Sequence, residues 1–401
     1  MDYRPLQLRK DEDRRLRAGH LWVFSNEVDV ARTPLVDLEP GAAVTILAHG
    51  GKPIGTGYAN PRSLIAARLV SRDHEYPWSG SLIVHRLKVA LALRERLYPT
   101  PHYRLVFGES DGLPGLVVDR YGSVLVAQFT TAGIERMRAE VIAALEKVLA
   151  PSCILLRNDV GVRELEGLEQ SVEVASGSLP ESLEVVEDGL RFGVPARDGQ
   201  KTGWFYDQRE NRALLGRFVS SSGGGARVLD LFSYLGAWGL RAAAAGAGEV
   251  LCVDSSAPAI AGIERNAAAN GLAVTTRAGD AFEVLKELRA ARERFDVVVC
   301  DPPAFIKKRK DHREGLSAYH RINQMAMQVL SKDGLLVSCS CSHHLSRDEL
   351  MSVVRAEARH VDRSAQVVAV GRQGFDHPVH PAIPETEYLK CLFARVLPGS
   401  F

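Results

Sequence analysis

The C-terminal half of the chain alternates between short strand-like runs and segments with helical spacing. The strand-like runs are RVLDLFS, EVLCVDSS, VTTRAGD, FDVVVCDPP and LLVSCSCS. Helical segments such as APAIAGIERNAAANG and AFEVLKELRAARER separate them. Because this alternation builds βαβ units, it predicts a parallel sheet with helices on both faces. The linker-like stretch SSSGGGA, residues 220–226, precedes the first run.

The rest of the chain falls into two regions with different patterns. Residues 1–75 hold short β-branched runs bounded by Gly, Pro and Asn, which predict a small all-β barrel. Residues 76–190 combine two helical stretches with a strand pair that turns at Tyr121-Gly122 and a further strand, CILLRND, which indicates an α+β module. Since 401 residues are more than one core usually holds, we expect three domains. Their expected ranges are 1–75, 76–190 and 191–401.

The composition excludes several classes of protein. With 46% hydrophobic residues, 25% charged residues and a net charge of +1, the chain is typical of soluble globular proteins and unlike disordered or collagenous ones. Its N-terminus, MDYRPLQLRKDEDRRLR, has no apolar signal-peptide core, and no apolar run is long enough to span a membrane. We therefore expect a cytoplasmic protein with reduced cysteines and no membrane partner.

Acidic residues and a glycine turn follow the first three strands of the predicted sheet. In such sheets a ligand binds beyond the carboxyl ends of the strands. Gly236 lies in the turn LDLFSYLGAWG after the first strand, Asp254 ends the second, and Asp280 follows the third. Asp254 is suited to accept hydrogen bonds from ribose hydroxyls, and Asp280 to receive an adenine amino group. The competing interpretation is that the glycines serve strand–helix packing and the acids cap helices, but together they favour a nucleoside cofactor.

The fourth strand ends in VVVCDPPAF, and this motif narrows the choice of cofactor. Two successive prolines cannot continue a strand ladder or start a helix interior, so Asp301 is held in a rigid, extended segment. Asp-Pro-Pro in this place is typical of S-adenosylmethionine-dependent methyltransferases that modify nucleic-acid bases. The alternative is a plain strand terminator with Asp301 as a cap.

The fifth strand, LLVSCSCS, is expected beside the fourth and carries two cysteines. Residues two apart on a strand point to one face, so Cys339, Cys341 and His343 would be collinear. Their spacing of about 6.6 Å disfavours a zinc site, whose thiolate ligands converge to about 2.3 Å from the ion. What remains is core packing or nucleophilic catalysis, and the outer position of Cys341 favours catalysis there.

A cysteine nucleophile has a definite use in base methylation. The C5 carbon of cytosine is a poor nucleophile, and addition of a thiolate to C6 turns it into an enamine-like carbon that can accept a methyl group. A carboxyl group at N3 or the exocyclic amine would stabilise the adduct. Methylation of an exocyclic nitrogen needs no cysteine.

The chain resembles the bacterial 23S rRNA large-subunit methyltransferase I family, which makes 5-methylcytosine. The resemblance covers nearly the whole chain through LRAGHLWVFSNEV, ESDGLPGLVVDRYG, QKTGWFYDQRENR, FSYLGAWG, VVVCDPPAF and SCS. It implies an α/β fold: a Rossmann-like class I methyltransferase domain with an N-terminal PUA-like β-barrel and a central α+β domain. It also implies that Cys341 is the nucleophile, with Asp301 as a second catalytic residue. The cofactor, S-adenosyl-L-methionine, would be bound by Phe205, Asp207, Gln208, Phe232, Ser233, Tyr234, Gly236, Asp254, Ser255, Asp280, Ala281 and Asp301.

In one respect the chain departs from other RNA 5-methylcytosine enzymes. These carry a second cysteine after the prolines, where this chain has Ala304. The base that removes the C5 proton is therefore not identified, and Cys339 or a water molecule are candidates.

The expected partner is 23S ribosomal RNA, free or in the large subunit, and a homodimer is one option for the quaternary state. A basic loop after the prolines is suited to phosphate contacts. It comprises Lys307, Lys308, Arg309 and Lys310. We expect no metal. The alternative functions are methylation of a base nitrogen and RNA binding without catalysis.

Overall fold

The computed structural model describes residues 3–73, 76–197, 199 and 202–399. Gln200 and Lys201, which begin the motif QKTGWFYDQRENR, lie outside the described residues, as do Met1, Asp2, His74 and Glu75 at the ends of the first predicted domain. Internal contacts divide the chain into two units. The first comprises the chain up to Leu183, Pro195–Tyr206 and Asp376–Thr386, and the second comprises Glu184–Val194, Asp207–Phe375 and the chain from Glu387.

The first sheet of the first unit is built from the short β-branched runs near the N-terminus. Its elements are β1 (Arg4–Gln7), α1 (Arg14–Arg17), β2 (Trp22–Phe24), β3 (Ala42–Leu47), β4 (Pro53–Ala59) and β5 (Ile65–Ser71). The strand order is β1-β3-β4-β5-β2. A bridge between Leu8 and Val28 links the chain just beyond the two edge strands. Alternate side chains of β3, Val44 and Ile46, are fully buried in the core.

A second five-stranded sheet of the first unit has the order β10-β9-β8-β7-β6. Its elements are α2 (Gly80–Leu97), β6 (His102–Phe107), β7 (Leu116–Tyr121), β8 (Val124–Phe129), α3 (Ala132–Arg136), α4 (Arg138–Leu149), β9 (Cys153–Arg157), α5 (Val162–Leu165) and β10 (Val172–Gly177). The predicted turn at Tyr121-Gly122 is confirmed, since Gly122 (φ +64°) joins the paired strands β7 and β8. The predicted helix GIERMRAEVIAALEKVL is divided at Met137, whose ψ of 20° interrupts it.

The second unit contains a hairpin region and a seven-stranded sheet. Its elements are β11 (Ser182–Glu187), β12 (Leu190–Pro195), α6 (Arg209–Ser221), β13 (Arg227–Leu231), α7 (Ala237–Ala244), β14 (Glu249–Asp254), α8 (Ala257–Ala269), β15 (Thr275–Ala278), α9 (Ala281–Ala290), β16 (Phe295–Cys300), α10 (His312–Gln328), β17 (Leu330–Ser340), α11 (Arg347–His360), β18 (Arg363–Arg372) and β19 (Lys390–Pro398). Strands β11 and β12 pair with each other. The first residues of β11 and the last residue of β12 belong to segments assigned to the first unit.

The seven-stranded sheet has the order β15-β14-β13-β16-β17-β19-β18. The predicted neighbourhood of the fourth and fifth strands is confirmed by the parallel pairing of β16 with β17. The five predicted strands, β13 to β17, are confirmed to pair in parallel, and the two strands that follow add an antiparallel part, because β19 runs antiparallel to both β17 and β18. The chain returns from β18 through a loop without an α-helix, and such a return allows antiparallel neighbours. The sheet is therefore mixed.

Candidate active site

The turn after β13 has an unusual backbone that shapes a concave strand end. Phe232 (φ +62°) and Tyr234 (φ +50°) adopt the left-handed conformation, which costs roughly 1 kcal/mol or more per non-glycine residue. Ser233 fixes the turn, since its hydroxyl donates to the carbonyl of Asp230 (2.7 Å) and accepts from the backbone N–H of Val253 (3.0 Å). The three predicted residues of this turn thus lie where β13 gives way to α7. Strained backbone of this kind clusters at functional sites, so this turn is a candidate for ligand binding.

Gly236 is the N-cap of α7 and has a φ of +83°, and a Cβ atom there would lie 2.7 Å from Leu240 Cδ1. A side chain at this position would therefore both strain the backbone and collide with the helix. Gly239, one turn further, would place a Cβ atom 2.3 Å from Cys252 Sγ. Gly239 thus serves close strand–helix packing, which was the competing interpretation for the glycines of this motif.

Asp254 is the last residue of β14, as predicted, and its carboxylate supports the same turn. One oxygen accepts from the backbone N–H of Tyr234 (2.9 Å) and the other from that of Ser256 (2.9 Å). The side chain is half-buried, and the next residue, Ser255, is exposed. Each carboxylate oxygen has a second lone pair, so each can still accept a hydrogen bond from a hydroxyl group of a ligand.

Asp280 lies two residues beyond β15 and caps helix α9. Its Oδ1 accepts from the backbone N–H groups of Phe282 (2.9 Å) and Glu283 (3.2 Å). Asp280 is exposed, whereas the neighbouring Ala281 is buried. The capping interpretation therefore describes the local structure. Both of these bonds go to Oδ1. The contact of Asp280 with an adenine amino group stays a prediction.

Asp230 was missed at the sequence level, although it is the most deeply buried acid at this edge of the sheet. Its Oδ2 accepts from the backbone N–H of Gly239 (3.0 Å), while Oδ1 has no hydrogen-bond partner among the described residues. Burial raises the pKa of Asp230 to about 7, against the lowering effect of the Gly239 bond. A buried acceptor without a partner indicates a bound water or ligand group. The sequence signal was a charged residue inside the apolar strand RVLDL.

Asp301 follows β16 directly, and both of its carboxylate oxygens accept hydrogen bonds. Gln208 Nε2 donates to Oδ1 (3.0 Å) and Trp238 Nε1 donates to Oδ2 (3.0 Å). Burial raises the pKa of Asp301 to about 6, although the bond from Trp238 opposes the rise. Gln208 was predicted at this site, whereas Trp238 was not. The sequence offered only a tryptophan one residue before a glycine.

The position of Cys341 differs from the sequence prediction. Strand β17 ends at Ser340, so Cys341 follows the strand and, unlike Cys339, is not part of it, and His343 lies in the turn beyond. The hydrogen bond from the Leu345 N–H to the Ser342 carbonyl (3.2 Å) closes this turn. All six cysteines are among the described residues; Cys341 is partly exposed, and Cys153, Cys252, Cys300, Cys339 and Cys391 are buried.

Cys339 is an unsuitable proton acceptor. It lies opposite Cys391 on β19, with 3.2 Å between the two sulfur atoms, and is 1% exposed. Burial raises the pKa of the Cys339 thiol well above its usual value. Of the two candidate bases left open by the sequence, the structure thus disfavours Cys339.

A buried hydroxyl network ties the turn at Cys341 to the segment after Asp301. The backbone N–H of Ile306 donates to Ser342 Oγ (3.2 Å). The Tyr319 hydroxyl joins Ser342 Oγ (2.9 Å) to Ser340 Oγ (2.8 Å). Cys341 and Asp301 therefore lie on two connected segments at the carboxyl ends of β17 and β16.

The other predicted residues lie in three different settings. Asp207 is buried and its Oδ2 accepts from the Tyr388 hydroxyl (2.5 Å). Phe205 belongs to the first unit and is half-buried, and its contact with a cofactor stays a prediction. The basic loop residues are exposed. His343 and His344 are exposed too, and the His343 ring lies 5.5 Å from that of Tyr388.

Two family descriptions and several known proteins match this chain. The family of PUA-like domains matches residues 6–72, and that of S-adenosylmethionine-dependent methyltransferases matches residues 120–386. The protein named ribosomal RNA large subunit methyltransferase I in Shewanella denitrificans is 36% identical over 398 residues, which cover 98% of this chain and 99% of the relative. Its namesake in Shewanella amazonensis is 37% identical over 399 residues, with the same coverage.

Solved structures with the same fold are more distant in sequence. A SAM-dependent methyltransferase from Streptococcus mutans is 21% identical, with a TM-score of 0.81 over 98% of this chain and 100% of its own. A methyltransferase solved in complex with SAH is 20% identical, with a TM-score of 0.83 and the same coverage. At this identity the likeness shows the fold. Among the described residues, no helix combines the length and apolarity needed to cross a bilayer.

Proposed function

Since the chain belongs to the ribosomal RNA large subunit methyltransferase I family, we propose that it methylates C5 of a cytosine in 23S ribosomal RNA through a covalent adduct with Cys341. The enzyme is an S-adenosylmethionine-dependent rRNA methyltransferase. The proposal concerns which atom of the RNA is methylated and by which mechanism. The observation that carries this proposal is the partial exposure of the Cys341 side chain. Of six cysteines it alone is partly exposed, and it lies on the segment tied to the Asp301 loop.

The chemistry assigns one task to each group. Cys341 Sγ adds to C6 of the cytosine, and the electrons of the C5–C6 double bond become available at C5. Asp301 as a carboxylate accepts from the exocyclic amine and holds the base in place. After C5 gains the methyl group, a base takes the C5 proton, the double bond forms again and the Cys341 thiolate leaves. The target base has to be flipped out or single-stranded to reach these groups.

The residues at the ends of β13 and β14 fit an S-adenosylmethionine molecule. The buried, unpartnered Oδ1 of Asp230 and the strained turn from Phe232 to Gly236 are the features that a bound cofactor would explain. Asp254 would hold the ribose, and Asp207 and Gln208 would lie on the side of Asp301. Bound S-adenosylmethionine would supply the electrophilic methyl group.

Replacing Asp254 by Ala is expected to raise the dissociation constant for S-adenosylmethionine about ten- to hundredfold. A ribose would lose a charge-assisted hydrogen bond worth roughly 1.5 to 3 kcal/mol. Isothermal titration calorimetry measures the effect. Asp296→Ala is the matched control, because Asp296 also accepts from a backbone N–H, that of Arg227 (2.9 Å), but lies at the other end of β16. Equal affinities in both variants would remove Asp254 from the cofactor site.

Neutralising Lys307, Lys308, Arg309 and Lys310 to Gln is expected to weaken RNA binding and to flatten its salt dependence. All four side chains are exposed, and each phosphate contact contributes roughly 0.7 to 0.9 to the slope of log affinity against log salt. Filter binding at several salt concentrations measures this slope. The control variant neutralises four exposed arginines elsewhere in the second unit, Arg217, Arg265, Arg289 and Arg292. If both variants have the same slope, the loop makes no specific phosphate contacts.

The modified atom can be tested on cellular RNA. We expect 23S rRNA from a strain without this protein to lack one 5-methylcytosine, as mapped by bisulfite sequencing. Restoring the gene should restore the mark, and the Cys341→Ala form should not. Loss of an N-methylated base with all 5-methylcytosines intact would overturn the proposal in favour of nitrogen methylation.

A further inference from the structure

Lys390 is a buried lysine whose ammonium group lies against the turn that carries Cys341. It is the first residue of β19 and pairs with Ser340, the last residue of β17. The side chain is 6% exposed. Its Nζ donates to the carbonyl oxygens of Ser342 (2.6 Å) and Tyr388 (2.8 Å). The cation is thus anchored to the residue that follows Cys341.

Burial of the Lys390 ammonium group costs free energy, so the lysine is expected to have a role that offsets this cost. Lysine is rarely buried without a partner, and burial lowers the pKa of Lys390 to about 8. An ammonium group has three donors, and the two carbonyl groups use two of them. Among the described residues no carboxylate lies within ion-pair distance of Nζ. One N–H donor is therefore left for a further acceptor.

The charged and titratable groups around Lys390 come from four segments. Cys341 is the largest influence favouring its protonated form, followed by Glu387; Glu349 on α11 acts in the same direction, and Arg347 opposes them. The interaction between Lys390 and Cys341 is reciprocal, because a thiolate that stabilises the ammonium is stabilised by it to the same extent. Tyr319, on the other side of the turn, accepts a hydrogen bond from the Ser340 hydroxyl and is neutral at pH 7, because burial raises the pKa of its own hydroxyl.

We propose that Lys390 is a positioning residue that holds the turn at Cys341 and stabilises the thiolate of that cysteine through the charge of its ammonium group. This use of the thiolate rests on the proposed function. The thiol proton passes to solvent before Sγ adds to C6, and Lys390 stays protonated throughout. The same cation stabilises the thiolate when it leaves C6 at the end of the reaction. Lys390 therefore assists both the formation and the release of the adduct.

The test is the pH dependence of alkylation of Cys341 in the folded enzyme, without RNA or cofactor. Iodoacetamide reacts with the thiolate, and the other five cysteines are buried, so peptide mass spectrometry follows one site. Lys390→Met keeps the length of the side chain and removes the charge. We expect it to raise the thiol pKa by about one unit and to slow alkylation at pH 7 about tenfold. Lys390→Arg should keep the wild-type profile within about twofold.

Two controls separate charge from structure. Lys332→Met removes an exposed cation from the same strand pair and should leave the alkylation profile unchanged. If Lys390→Met does not fold, the wild-type profile alone decides, because the proposal requires a thiol pKa below the ordinary value of about 8.5. A wild-type value at or above that, or a profile unchanged in Lys390→Met, overturns the proposal.

These outcomes are distinguishable from a failure of the proposed function. Alkylation reports on the thiolate and not on the methylated atom. A shifted profile together with absence of a covalent RNA adduct would keep the Lys390–Cys341 interaction and refute adduct formation. An intact adduct with an unshifted profile would refute the role of Lys390 alone.

Discussion

Replacing Cys341 by Ala is expected to lower the rate of methyl transfer at least about 10³-fold, with the dissociation constant for S-adenosylmethionine changed less than about twofold. In the proposed mechanism the thiolate acts on the base and not on the cofactor, so only the chemical step would lose its nucleophile. Single-turnover transfer of a radiolabelled methyl group to 23S rRNA measures the rate, and calorimetry measures cofactor binding.

Cys339→Ala is the matched control for this experiment. Cys339 lies two residues earlier, but it is packed against Cys391 in the core, so its loss should cost stability of the order of 1 kcal/mol and leave most of the activity. Comparable rates in Cys341→Ala and wild type would contradict nucleophilic catalysis. A loss confined to Cys339→Ala would assign the nucleophile to the other cysteine.

Replacing Asp301 by Asn is expected to lower the rate about 10²- to 10³-fold. The carboxylate accepts from Gln208 Nε2 and Trp238 Nε1 with separate oxygens, and an amide offers only one acceptor oxygen. The cytosine amine would also lose a charged acceptor, and removal of one such stabilising group typically costs this much. Asp296 is an exposed acid near the start of β16, the strand that Asp301 follows, and Asp296→Asn is the control that should keep the wild-type rate.

The pH profile provides a second check on Asp301. Because burial raises its pKa to about 6, the carboxylate is lost as the pH falls through 6. If the ionised form accepts from the amine, the rate at saturating cofactor should rise more steeply between about pH 5 and 6 in the wild type than in Asp301→Asn, where only the ionisation of the Cys341 thiol remains. A wild-type rate that falls over this range would mean that the protonated acid is the active form.

The residues that the sequence predicted at this site share one property: they follow predicted strands. Asp254 ends β14 and Asp301 follows β16, and the carboxyl ends of parallel strands meet at one edge of the sheet. The strands could be predicted from apolar runs alone, and the residues that follow each strand could then be identified. The residue at which β17 ends could not be predicted in this way, so Cys341 was assigned to the strand although β17 ends one residue earlier.

The residues that were missed depend on contacts between distant segments. Lys390 reaches Ser342 across 48 positions of sequence, and Trp238 reaches Asp301 across 63. Such contacts follow from strand order, and β19 runs antiparallel between β17 and β18, against the parallel pattern expected from the earlier strands. Asp230 differs from these two, because its place in an apolar strand was visible in the sequence and could have identified it.

The most direct test of the central claim is covalent trapping on RNA that carries 5-fluorocytosine at the target position. Fluorine cannot leave as a proton, so after methyl transfer the bond between Cys341 and C6 cannot be broken by elimination. We expect wild type and Cys339→Ala, incubated with S-adenosylmethionine, to form an RNA–protein adduct that survives denaturing gel electrophoresis, and peptide mapping to locate it at Cys341. Cys341→Ala should give no adduct. An active wild-type enzyme that methylates unmodified RNA but forms no adduct with the fluorinated RNA, or an adduct that persists in Cys341→Ala, would contradict catalysis by the Cys341 thiolate.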